Sequence, residues 1–154
     1  MRSILFVCTA NICRSPTAEA VLRRQLADKG GVELFQLDSA GTHDMHVGKP
    51  PSPLAIERAR LRGYDLANLV ARQVRSTDFD DFDLILGMDR GHLSSLRKIA
   101  PTRCKHKIEL FLEYGDRFHG KDIPDPYGGT ARDYDLMLDM VEDGCAGLVQ
   151  LLIR

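Results

Sequence analysis

Short apolar runs alternate along the chain with segments whose apolar residues recur every three or four positions. That alternation predicts strands interleaved with helices, and so a parallel sheet covered by helices on both faces. Ser3 to Cys8 is apolar nearly throughout, the pattern of a central strand buried on two sides. Pro16 to Lys29 reads as a helix, with Ala18, Val21, Leu22 and Leu26 on one face and Gly30-Gly31 ending it. Glu33 to Ser39 is a second, less apolar strand. Ser52-Pro53 signals another helix start, and Leu54, Ala55, Ala59 and Leu61 carry that helix to Gly63. Asp83 to Met88 is a third strand, Asp89 caps a helix from His92 to Ile99, and Lys107 to Leu112 is a fourth strand. From Thr130 onward, Tyr134, Leu138, Val141, Leu148 and Leu152 form one helical stripe, opened by a capping-box pattern with Asp133. Gly144 and Gly147 interrupt the stripe, which allows either close packing or a break.

Gly41 to Pro51 and Tyr114 to Gly129 are long and rich in turn residues, the kind of loop that often carries function. In open parallel sheets, sites lie beyond the carboxyl ends of the strands. Cys8 falls at such an end, and both long loops begin near others. With no repeat or linker, the 154 residues are expected to form one domain, 1–154.

Composition narrows the function classes. Hydrophobic residues make up 44% and charged residues 28%, the balance of a globular protein. A formal net charge of −1 gives no general attraction to nucleic acid, and no apolar stretch is long enough for membrane insertion. The apolar run after Arg2 is too brief for a signal peptide. Four cysteines in a chain of this length do not make a disulfide framework, so a reducing, cytoplasmic setting is expected. No cofactor is implied. His43 and His46 lack further ligands at zinc-like spacing, so no metal is expected.

The chemistry concentrates directly after the first strand, in Cys8-Thr9-Ala10-Asn11-Ile12-Cys13-Arg14-Ser15-Pro16. Ser15 is read as the cap of the following helix, with Pro16 at its first position. The intervening loop, Thr9 to Cys13, must then curl with backbone N–H groups pointing inward at the positive end of the helix. Asn11 suits a position needing positive φ. Such a cradle binds a phosphate-like oxyanion and stabilises a thiolate at Cys8, and Arg14 adds a planar fork that matches two phosphate oxygens. A lone cysteine ending an apolar strand is usually a buried hydrophobe. Here strand, cysteine, loop, arginine and helix start coincide.

A cysteine attacking a phosphate monoester needs a proton donor for the leaving oxygen. Asp125, between Pro124 and Pro126 on a stiffened loop, is the candidate general acid and then base. Tyr127 offers an aromatic wall for a phenyl ring. Taken alone, this segment is ordinary turn chemistry.

With both motifs in place, the chain resembles the low-molecular-weight protein tyrosine phosphatases from end to end. Val7 to Pro16 is similar to the family's signature loop, and Asp125-Pro126-Tyr127 to its general-acid loop. Asp38 to Thr42, Val70 to Val74 and Met88-Asp89 resemble further family segments. The resemblance implies a four-stranded parallel sheet and a metal-free, two-step reaction. Cys8 is then the nucleophile, Arg14 and the loop amides from Thr9 to Cys13 hold the phosphoryl group, and Asp125 is the acid and base. It also implies that Ser15 donates a hydrogen bond to the thiolate, and that Asn11 and Ser39 hold the loop in shape. Cys13 is implied to form a reversible disulfide with Cys8, although a small loop filler explains it as well. The implied partner is a tyrosine-phosphorylated protein, a tyrosine kinase being one such substrate. Three departures bear on substrate preference: Leu69 where family members often carry histidine, Met45 where an aromatic residue often lines the cleft, and Gly128 where a second tyrosine often follows.

Three other readings remain at this point. A thiol-relay arsenate reductase needs a close second cysteine pair, whereas Cys104 and Cys145 lie far apart. Phosphoarginine phosphatases of the family tend to carry threonine where Ile12 stands. A pure phosphoprotein-binding module would need neither Cys8 nor Asp125. Arg58, Arg60, Arg62, Arg72 and Arg75 form a basic region that reads first as a solvated face.

Overall fold

The first apolar run forms β1 (Ser3–Cys8), all six residues buried, in a computed structural model that describes residues 1–153. Its side chains alternate between two cores, as the pleat requires. Ile4, Phe6 and Cys8 enter one core, and Leu5 and Val7 the other. The remaining strands are β2 (Gln36–Gly41), β3 (Leu84–Gly87) and β4 (Ile108–Leu110), all parallel, in the order β2-β1-β3-β4. One face is covered by α1 (Arg14–Asp28) and α5 (Ala131–Leu152), with α2 (Pro53–Leu61) packed beside α5. The other face is covered by α3 (Asp78–Asp81) and α4 (Arg90–Ile99). The expected single α/β domain with helices on both faces is what forms. From β1 the chain turns to β2 on one side and later reaches β3 on the other. The strand order therefore reverses at β1, and the loops leaving its carboxyl end open a crevice there.

Several boundaries differ from the sequence reading, each for a local reason. Helix α1 begins at Arg14, not Pro16, and Cys13 occupies the N-cap position with no side-chain cap bond. Ser15 is therefore not the cap. It lies in the first turn, fully buried. Pro16 is tolerated as the third helical residue because the first-turn N–H groups have no intrahelical partner. Ser52 likewise makes no cap bond, although Pro53 does open α2. Val32–Leu34 wind into a 3₁₀ turn, so β2 starts at Gln36 and extends to Gly41. β4 stops at Leu110 because Phe111–Tyr114 form another 3₁₀ turn. Thr130 and Asp133 close the expected capping box.

Helix α5 passes unbroken through Gly144 and Gly147, so close packing is the reading that holds. A Cβ on Gly144 would lie 2.5 Å from Cζ of Phe111, whose ring meets Phe6 edge-on at 5.4 Å. A Cβ on Gly147 would collide with the Tyr114 carbonyl. Only glycine lets the helix lie this near the strand end that leads into the Tyr114–Gly129 loop; crowding of this kind costs about 1–3 kcal/mol.

Apart from Arg60, the basic region is paired with neighbouring carboxylates. Arg58 pairs with Asp135, Arg62 with Asp139 and Glu142, and Arg72 with Asp38 and Asp78. All four cysteines are free thiols.

Candidate active site

The loop from Thr9 to Cys13 is held open by its carbonyls. Cys8 O, Thr9 O, Ile12 O and Cys13 O accept from the N–H groups of Thr42, His43, Ser52 and Thr17. Among the described residues, no backbone N–H from Ala10 to Cys13 donates to a protein acceptor. Carbonyls outward and N–H groups inward make an anion cradle at the N-terminus of α1. Asn11 makes the curl possible, with φ of +59°, a conformation asparagine tolerates better than most residues. Its side chain is fully engaged. Nδ2 donates to Ser15 Oγ at 2.8 Å and to Ser39 Oγ at 3.0 Å, and Oδ1 accepts from the Arg72 N–H at 3.0 Å. Ser39 in turn donates to Glu19 Oε1 at 2.8 Å. Gly41 completes the support, since a Cβ there would lie 2.7 Å from Thr9 O.

Because Ser15 Oγ accepts from Asn11, its own proton is available for the Cys8 sulfur 3.0 Å away, with Ala40 O a more distant acceptor at 3.4 Å. Cys13 faces other partners. Its Sγ lies 3.3 Å from Ser52 Oγ and 3.5 Å from Tyr134 Oη, and burial pushes its thiol pKa up. That keeps Cys13 neutral, while Cys8 has a hydroxyl donor aimed at it.

Arg14 is 3% exposed. Nη1 donates to Asp89 Oδ2 and to Ile123 O, both at 2.8 Å, which fixes the back of the fork. Nη2 lies 3.4 Å from Thr9 Oγ1 and 3.7 Å from Asp125 Oδ2. Nε is buried with no acceptor among the described residues. A buried guanidinium N–H without an acceptor is costly unless an anion uses it. Burial alone would raise the Asp89 carboxyl, but the Arg14 hydrogen bond and the neighbouring His92 hold it below its ordinary value.

Asp89 also caps α4, in a reciprocal box with His92. The Asp89 N–H donates to His92 Nδ1 at 3.1 Å, which places the ring proton on Nε2, and Nε2 meets Thr9 Oγ1 at 3.0 Å. Burial, and after it the charge of Arg14, push His92 down from 6.5 to about 4. The folded protein thus refuses a proton that the unfolded chain accepts. Stability present above pH 6.5 is lost as pH falls toward about 4, by on the order of 3 kcal/mol from this residue. In melting curves taken across that range, His92→Gln is expected to show a shallower fall in Tm than the wild type. An equal slope in both proteins would contradict the assignment.

Asp125, Tyr127, Met45 and His46 come from the two long loops and close a cavity of about 130 Å³ over Cys8 and Arg14. Asp125 is half exposed, and its Oδ1 accepts the Tyr127 N–H at 3.1 Å, an Asx turn that fixes the carboxyl. The Tyr127 and His46 rings lie 5.9 Å apart across the mouth. The structure therefore gathers Cys8, Thr9, Ala10, Asn11, Ile12, Cys13, Arg14, Ser15, Ser39, Asp125 and Tyr127 at one end of the sheet. The sequence reading did not place Asp89, His92 or His46 in the site. The Asp-x-x-His box was a legible signal for the first two.

Known proteins resemble this chain in sequence and fold. The family model described as low molecular weight phosphotyrosine protein phosphatase matches residues 3–154. The low molecular weight protein-tyrosine-phosphatase YfkJ of Bacillus subtilis is 38% identical over 149 residues, covering 97% of this chain and 94% of that protein. The low molecular weight phosphotyrosine protein phosphatase of Homo sapiens is 38% identical over 151 residues, with coverage of 97% and 94%. A crystal structure of a protein tyrosine phosphatase from Entamoeba histolytica, with Hepes in its active site, superposes with a TM-score of 0.94 at 34% identity. It covers 99% of this chain and 97% of that one.

Proposed function

Because the chain belongs to the low molecular weight phosphotyrosine protein phosphatase family, we propose that Cys8, Arg14 and Asp125 carry the hydrolysis of phosphotyrosine. As a member it is a protein-tyrosine phosphatase, a phosphoric monoester hydrolase that works without metal. The observation that supports these residue roles best is the aim of Arg14. Its Nη1 is tethered behind the loop, while Nε lacks a protein acceptor and Nη2 lies between Thr9 and Asp125. A bound phosphoryl group would use Nε, Nη2 and the inward N–H groups of the loop.

In the first step the Cys8 thiolate attacks phosphorus, forming an S–P bond as the bond to the tyrosyl oxygen breaks. Asp125, entering with its proton, gives it to the departing oxygen. In the second step Asp125, now a carboxylate, takes a proton from water as that water attacks phosphorus. The S–P bond breaks, inorganic phosphate leaves and the thiolate is restored. Ser15 stabilises the sulfur charge at both ends of the cycle. Arg14 and the loop amides hold the three equatorial oxygens throughout, where charge accumulates. Asn11 and Ser39 keep the loop curled.

The substrate is a tyrosine-phosphorylated protein, and a tyrosine kinase carrying such a group is one source. A cavity walled by Ile12, His46 and Tyr127 admits a flat ring, and only an ester of aryl length brings phosphorus to its floor. A thiol relay finds little support. Cys104 belongs to the core on one face of the sheet and Cys145 to the core on the other, so neither serves as a second relay pair. Among the described residues no helix is long and apolar enough to cross a membrane. A nucleophile that must stay a thiol favours the reducing cytoplasm. The direct check is turnover of para-nitrophenyl phosphate by freshly reduced protein in excess chelator. Sustained release of nitrophenol is expected, and inert protein would overturn the reading.

A further inference from the structure

A second depression, of about 590 Å³, opens beside the phosphate cavity and shares part of its wall. Ile12, His46 and Tyr127 wall both spaces, so the two adjoin along these three residues. Beyond them the groove is apolar, formed by Pro50, Pro51 and Pro53 with Ile56 on the first turn of α2. It is also rigid. Proline fixes three backbone angles, and the segment is tied to the phosphate loop by Ser52 N–H to Ile12 O and to the chain beyond α2 by Ala71 N–H to Lys49 O, both at 2.9 Å. A preformed apolar groove takes a side chain with little ordering cost.

The rim charges are distributed unevenly. Lys49 and Arg60 are exposed and have no ion-pair partner among the described residues. Arg58, on the same helix, and Arg62, at its C-cap, are instead committed to carboxylates of α5. Glu57 is the one acid on the groove lining, so two cations face a single carboxylate. That favours an acidic neighbour for the apolar group.

We propose that this groove receives the stretch of substrate polypeptide adjoining the phosphotyrosine, selecting an apolar side chain with an acidic residue beside it. The inference rests on the phosphatase reading above and adds the kind of protein segment the enzyme prefers. Small aryl phosphates fill only the inner cavity and are indifferent to the groove.

The test uses phosphotyrosine peptides in which one leucine and one glutamate are moved through the three positions on either side, in a serine background. Para-nitrophenyl phosphate is the reference. On one side of the phosphotyrosine, the leucine–glutamate peptide is expected to exceed the all-serine peptide in kcat/KM by about tenfold, the scale of one apolar contact. Ile56→Asp and Arg60→Glu should each remove most of that preference while leaving para-nitrophenyl phosphate within about twofold of wild type. Equal kcat/KM across the wild-type peptide series overturns the proposal without using any variant. Parallel losses on peptide and reference in the variants also overturn it, because the groove would then act through the loop. Failure on the reference substrate by wild type would instead overturn the phosphatase reading itself.

Discussion

Cys8→Ser leaves no measurable turnover of para-nitrophenyl phosphate, a fall of about 10⁵-fold or more, on the scale seen when a catalytic nucleophile is removed. The serine hydroxyl is a similar size and keeps the neighbour at Ser15 Oγ, so the loop remains formed. What is lost is the anion. The thiolate, not the neutral group, is the nucleophile, and an alcohol has no base here to take its proton. Phosphate binding should survive, because Arg14 and the loop amides are untouched. Steady-state kinetics and inhibition by inorganic phosphate, measured on the same protein, separate the two effects. Full activity in the variant would remove Cys8 from the mechanism.

Asp125→Asn is expected to lower kcat/KM, which reports the step in which the leaving group departs, by about 10²–10⁴-fold on phenyl phosphate, the usual range for loss of a general acid. Asparagine can still accept the Tyr127 N–H, so the turn that sets the side chain persists. The loss should be smaller on para-nitrophenyl phosphate, whose leaving group departs without a proton. That dependence on the leaving group distinguishes a proton donor from a residue that only shapes the mouth. A uniform loss on both esters would assign Asp125 to structure.

Much of this site was legible because its chemistry is local. Strand, loop, arginine and helix follow within a few residues, and Cys8, Arg14 and the curl at Asn11 could be read from that order alone. Ser15 shows the limit. A serine followed by proline signals a cap, yet its hydroxyl is committed to Cys8 and Asn11, and the helix starts one residue before it. Asp89 was read as a helix cap, which it is, but nothing local shows that the same carboxylate holds Arg14 from the end of another strand. His92 reaches Thr9 across 83 residues, and Ser39 meets Asn11 across 28. Contacts of that span follow from topology. Gly144 and Gly147 tell the same lesson in the fold, since their purpose lies in Phe111 and Tyr114 across the packing interface. The late start of β2 and early end of β4 reflect tight turns that compete with strand pairing for the same apolar residues.

The central claim is that phosphorus passes through the sulfur of Cys8. Rapid acid quench of Asp125→Asn turning over para-nitrophenyl phosphate, followed by peptide fragmentation, reads this directly. The mass of one phosphoryl group should appear on the peptide from Ser3 to Arg14 and localise to Cys8. Unmodified peptide at every quench time, or a phosphoryl group on Cys13, would contradict the account.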